Sequence, residues 1–345
     1  MKRLFLFFII ISFTFLSGCG GIIPTSYTIT STAGTGGNIT PTGLISVTEG
    51  GNQTFTITPD ICYQIDDILV DGISEGSITT YTFTDIQENH TIQVSFVVIP
   101  GPRVLNTTTG ATYTTIQTAI DASLTGDTLI VCPWTYYENI IFDNKNITLR
   151  STDPSNPSTV AATIIRGTIS DSVVKFTGGD ASTLEGFKIT NGNPMYYGGG
   201  IYIGSSSPTL LNNMIVNNQA AYGGGIYVGY YSSPIIQNNT ITGNNSDYSG
   251  GGICVIMSSS IIKNNNITEN YATAYGGGIY VYSDSNIFPA NPRPSGWGID
   301  RKNIPIGDPL VPAEGVEYTI AGNTFLGNEQ GDSLDYTEGA HVYFY

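Results

Sequence analysis

Apolar residues in this chain come in short runs split by polar ones, and between residues 184 and 282 the runs themselves recur. Ile189, Ile215, Ile241 and Ile267 fall 26 residues apart. The neighbouring columns keep step: Asn212-Asn213, Asn238-Asn239 and Asn264-Asn265 repeat, and a glycine triplet precedes Ile201, Ile226, Ile253 and Ile279. A fixed period of this length predicts stacked units, each too small to bury its own apolar face. In each unit Ile201 and Ile203, Ile226 and Val228, or Ile279 and Val281 should point inward, with Tyr202, Tyr227 and Tyr280 between them pointing out. The glycine triplets suit a tight corner where backbones approach closely. The asparagine pairs suit amide ladders at another corner, each side chain bonding the next coil.

The rest of the chain also reads as β structure. Residues 27–98 alternate with period two at Tyr27–Thr30, Phe55–Thr58 and Thr91–Phe96, with Gly36-Gly37 and Gly50-Gly51 as turns. Residues 99–103, with Pro100-Gly101-Pro102, read as a stiff hinge. Tyr113 to Leu124 places Ile116, Ala119 and Ile120 at helical spacing, with Gly126 as the stop. Short apolar strands follow at Leu129–Val131, Ile147–Leu149, Thr163–Ile165, Val173–Phe176 and Phe187–Ile189. Residues 283–317 break the period with six prolines, and Ile320–Asn328 resumes it, so 283–317 reads as an excursion with Trp297 folding back on the wall.

Three resemblances sharpen this. The helix, the strand at Leu129–Val131 and the Thr135–Ile140 stretch resemble the N-terminal cap and first coil of the pectate-lyase-like superfamily. That implies an all-β chain: a right-handed parallel β-helix over 104–345 with an N-terminal capping helix, preceded by a small β domain. Ile215–Asn218, Ile241–Asn244, Ile267–Asn270 and Phe325–Asn328, with the Gly-Gly-Gly-Ile runs, resemble the repeats of the polymorphic outer membrane proteins, which are adhesin-like. Residues 27–98 resemble the divergent internalin-type bacterial repeat, a spacer or weak binding module. They depart from it at Ile61 and in lacking its tryptophan.

The first residues carry an address. Lys2 and Arg3 precede an apolar run, Leu4 to Leu16, too short to span a bilayer. Leu16-Ser17-Gly18-Cys19 resembles the bacterial lipobox, which implies a signal peptide at 1–18, a lipidated Cys19 and a linker over 19–26. The resemblance implies an exported, membrane-anchored lipoprotein of the outer membrane or cell surface. A net charge of −15 with 12 Lys and Arg leaves no basic stripe for phosphates, so nucleic acid is not an expected partner. Cys62, Cys132 and Cys254 lack metal spacing and are expected as buried free thiols.

Chemistry is sparse. Residues 189–282 hold one base, Lys263, and two acids, Asp247 and Glu269. Enzymes of the resembled superfamily use carboxylate clusters with basic partners. The charges at Asp171, Lys175, Asp180, Glu185 and Lys188, and Arg293, Asp300, Arg301 and Lys302 in the excursion, have no spacing that favours catalysis. No catalytic residue, metal or cofactor is assigned. The richer feature is tyrosine. Tyr202, Tyr227 and Tyr280 share one column, with Cys254 in the remaining coil, and Tyr197, Tyr222, Tyr248 and Tyr275 share another. Exposed rings on an uncharged wall stack on sugar faces; otherwise they form a ladder that stiffens the wall. The reading is a monomeric envelope lipoprotein whose β-helix binds polysaccharide or a surface protein through these rings and Trp297. A polysaccharide lyase or glycosidase, and a passive spacer, are the alternatives.

Overall fold

A computed structural model describes residues 25–282, 319–330 and 342–344. The expected signal peptide, Cys19, the 283–317 excursion with Trp297, and His341 lie outside the described residues. The chain divides into two compact units, Met1–Val98 and Ile99–Tyr345.

The first unit is two small sheets over one core. Strands β1 (Ser26–Ala33), β3 (Gly43–Thr48), β5 (Tyr63–Val70), β6 (Ile73–Ser74) and β8 (His90–Val98) form one sheet in the order β3-β1-β8-β5-β6. Strands β2 (Gly37–Thr40), β4 (Gln53–Pro59) and β7 (Thr80–Phe83) form the other. Only β1 and β8 pair in parallel. Alternation decides the faces, with Ile29, Phe55, Ile57, Ile68, Ile92 and Val94 inward.

The second unit is a parallel β-helix with three long faces, seeded by β11 (Thr128–Val131), β12 (Trp134–Tyr137) and β13 (Ile140–Asp143), and a short fourth sheet through Gln219–Tyr222, Asn245–Ser249, Tyr271–Ala272 and Glu329–Gln330. Every later coil adds one strand to each face in strict register: Leu184 on Leu210 and Leu210 on Ile236, Ile189 on Ile215, Ile201 on Ile226. After the excursion Thr319–Ala321 rejoins the first face beside Ile261–Lys263, and Thr324–Leu326 rejoins the second. The inward residues form one buried column on each of the first two faces and two on the third. Burying each is worth about 1.5–3 kcal/mol, but one coil has nothing to bury them against.

Asparagine organises two corners, not one. Asn239 Oδ1 accepts from Asn213 N at 2.9 Å and Asn213 Nδ2 at 3.1 Å, and Asn239 in turn donates to Asn265. A parallel ladder runs through Asn218, Asn244, Asn270 and Asn328. Each amide is buried, and within the stack each donates both to a backbone carbonyl and to the next asparagine, which makes it a structural element. A serine column at Ser206, Ser232 and Ser258 does the same at the third corner; its spacing of 26 was legible in the sequence but went unread. The glycine triplet behaves as expected. Gly223 has φ +67°, and a Cβ on Gly224 would collide with the backbone of Asn245 in the next coil.

Helix α1 (Ile116–Ala122) is shorter than the expected 113–124, because Tyr113 lies in a strand, β10 (Thr112–Tyr113), beside β9 (Val104–Asn106). Its Ile116, Ala119 and Ile120 close the core end, and β9 with β10 covers the open edge of β11. A second short helix, α2 (Pro157–Ala162), had no apolar period to reveal it. One cysteine reading is corrected. Cys254 is a buried free thiol, whereas Cys62 and Cys132 are disulfide-bonded. Cysteine spacing is silent on pairing, which depends on how close folding brings two Cβ atoms.

Candidate functional site

The third face carries the tyrosines. Its strands Ile201–Gly204, Ile226–Gly229, Ile253–Ile256 and Ile279–Tyr282 run from the glycine corner. Inward residues are fully buried, so the outward register belongs to Tyr202, Tyr227, Cys254 and Tyr280. The Tyr227 reading needs correction. Its side chain does leave the core, yet it is only 4% exposed. Tyr202 stacks on it at 5.8 Å and 6°, and Tyr197 leans over it at 4.5 Å. Its ring faces are therefore occupied, and it supports the exposed rings. Burial, with Cys254 and Tyr197 as neighbours, pushes its phenol far above the usual value. Burial likewise raises Tyr202, helped by Tyr230 and Tyr197, and raises Tyr222, helped by Tyr197 and Tyr248. The Cys254 thiol is raised by burial and stays protonated and inert.

An outer tier sits beside the glycine corner. Tyr197, Tyr222 and Tyr275 keep coil register, but the fourth member of that column is Ser249. A bulge in Asn245–Ser249 moves Tyr248 one place aside, where it stands 55% exposed. Its ring still stacks on Tyr222, at 5.3 Å and 14°. Tyr196, Tyr197, Tyr222, Tyr248, Tyr227 and Tyr202 thus form one continuous ring network, and Tyr275 meets Tyr280 at 6.2 Å. Near-parallel rings only 5.3 Å apart are offset-stacked, so Tyr222 and Tyr248 turn faces to each other and edges to water.

The opposite border was missed in the sequence. Tyr230 and Tyr231 follow Gly229, and both hold left-handed backbone, φ +58° and +60°. Tyr231 is 75% exposed. Two adjacent non-glycine residues in that region cost of order 1 kcal/mol or more, and such strain concentrates at working surfaces. The readable signal was a pair of tyrosines at a corner where turn residues are expected. Tyr196, also exposed, was missed with them.

Charge is nearly absent from this wall. Lys175 is the one cation on the described strands of this face, and Asp171 holds it at 2.6 Å. The acids and bases considered for catalysis are scattered. Glu185 lies on the first face, Lys188 on the second and Lys175 on the third. Asp180 is fully buried and accepts from the backbone of Lys145 and Ser182. Among the described residues no group of three or more His, Cys, Asp or Glu side chains could hold a metal ion.

No curated protein and no solved structure matches the chain. Residues 134–291 match the family model described as right handed beta helix region, and the stack of parallel coils is a β-helix of that kind.

Proposed function

We propose that the β-helix is a non-catalytic binding module of an envelope or surface lipoprotein. It holds a glycan or another envelope component on its third face. The observation that carries this is the pair of exposed tyrosine borders, Tyr196, Tyr197 and Tyr248 on one side and Tyr230 and Tyr231 on the other, flanking a wall with no unpaired cation among its described residues. Large neutral rings left in water on a stable scaffold mark a contact surface. In this reading Cys19 bears the lipid anchor. Residues 27–98 and the 99–103 segment lie in the chain between that anchor and the β-helix. Disulfide-bonded Cys62 and Cys132 fit an oxidising, extracytoplasmic compartment.

The test is co-sedimentation of the protein with insoluble neutral and acidic polysaccharides, with assay of newly released reducing or unsaturated ends. Retention without new ends is expected, lost when Tyr196, Tyr231 and Tyr248 are all changed to alanine. New ends would replace this reading with an enzyme. No retention on any polysaccharide would sink the glycan reading.

A further inference from the structure

Resting on the binding reading above, we infer that the outer tyrosine column recognises an uncharged, hydroxyl-rich polymer through its row of phenol hydroxyls, with the polymer lying parallel to the stacking axis.

Ring orientation argues first. Ring contacts within the column, tilted at 5.7 Å and 32° for Tyr197–Tyr222 and stacked at 5.3 Å and 14° for Tyr222–Tyr248, occupy Tyr222 from both neighbouring coils. Sugar stacking needs a free ring face, and Tyr222 at the centre of the column has neighbours on both sides. What it offers outward are hydroxyls, each one donor and two acceptor sites.

Hydrogen bonding argues second. The hydroxyls of Tyr197, Tyr222 and Tyr248 bond to nothing among the described residues, while the buried polar side chains left without partners are Ser151, Asn245 and Ser260. The tyrosine hydroxyls therefore reach solvent unpaired. Three successive coils, stacked about 4.8 Å apart, each supply one of them, with Tyr248 set aside from strict register by its bulge. That repeat fits an extended chain presenting one hydroxyl-bearing unit per step, and it favours a polymer running along the stack over one running along a strand.

Charge argues third and narrows the class. Among the described residues of this face, a polyanion would find Lys175 already paired with Asp171 and would meet the exposed Asp247, the sequence neighbour of Tyr248. A neutral polyhydroxylated chain loses nothing here and can pair with every hydroxyl in the row.

The experiment replaces hydroxyls without removing rings. The full chain and its Tyr197→Phe/Tyr222→Phe/Tyr248→Phe variant are compared by affinity electrophoresis through a linear neutral glucan, a neutral mannan and a polyuronate. Thermal melting checks that the stack survives. Expected is retardation by a neutral polymer, with affinity falling roughly tenfold or more in the triple phenylalanine variant while melting is preserved. If the variant binds as the parent does while Tyr196→Ala/Tyr231→Ala abolishes binding, ring faces do the work. The hydroxyl inference then fails and the binding function stands. Tighter binding of the polyuronate also overturns it. No retardation by any of the three overturns the binding function itself.

Discussion

Single residues on the third face are chosen in pairs. Two positions apart on an outward strand, Tyr202 faces Gly204 and Tyr227 faces Gly229, and each ring lies over its glycine: a Cβ on Gly229 would fall 2.7 Å from the Tyr227 ring. In the next coil the pair becomes Cys254 and Ile256, small then large, so the wall keeps its bulk. An acid at the other end of the molecule is as closely tied. Asp127 accepts from Leu124 N at 3.0 Å and Asn106 Nδ2 at 2.8 Å, and these bonds hold its carboxyl below the usual 3.8. A folded value lowered this way stabilises fully above 3.8 and stops doing so as pH falls through the folded value. Thermal melting should therefore place Asp127→Asn below the parent at about pH 7, with the gap narrowing as pH falls below 3.8. A gap that widened in acid would contradict this.

Among elements, α1 shows how a cap is fastened. Glu138 accepts from Ile116 N and Gln117 N, both at 2.9 Å, placing a carboxylate at the positive end of the helix. Lys145 Nζ donates to the carbonyls of Asp121 and Ser123 at the other end. The Gln117 amide bonds both N and O of Ile141, doing for the edge of β13 what a preceding coil would do. Glu138→Gln should cost about 1–2 kcal/mol, and Gln117→Ala should raise amide exchange at Ile141 first. Exchange that rose first in a distant coil would refute the cap assignment. The apolar spacing of Ile116, Ala119 and Ile120 announced this helix. Its charged fasteners lie 21 to 24 residues away in sequence and were invisible to a local pattern.

For the whole molecule, stability is shared between neighbours in a line. Gly224→Ala drives a Cβ into Asn245 of the next coil, at roughly 3 kcal/mol and a drop of roughly 10 °C in the β-helix transition. Hydrogen exchange should show the loss centred on residues 198–256 and leave the first unit's amides unchanged, since the two units have separate cores. Protection lost equally in both would argue against that separation.

The stack is legible in the unfolded chain: its period, inward isoleucines, glycine corner, asparagine ladder and resumption at Ile320 all follow from a repeat in which each residue meets its own counterpart one coil away. Tertiary structure alone decided which tyrosines meet water. Tyr202, Tyr227 and Tyr280 are equivalent in the repeat, yet Tyr227 is covered because Tyr197 leans over it, and Tyr248 leaves its column because one extra residue bulges there. Periodicity fixes the direction in which a side chain leaves the backbone. Exposure depends on the bulk of neighbours in adjacent coils, and that is settled only when the coils are stacked.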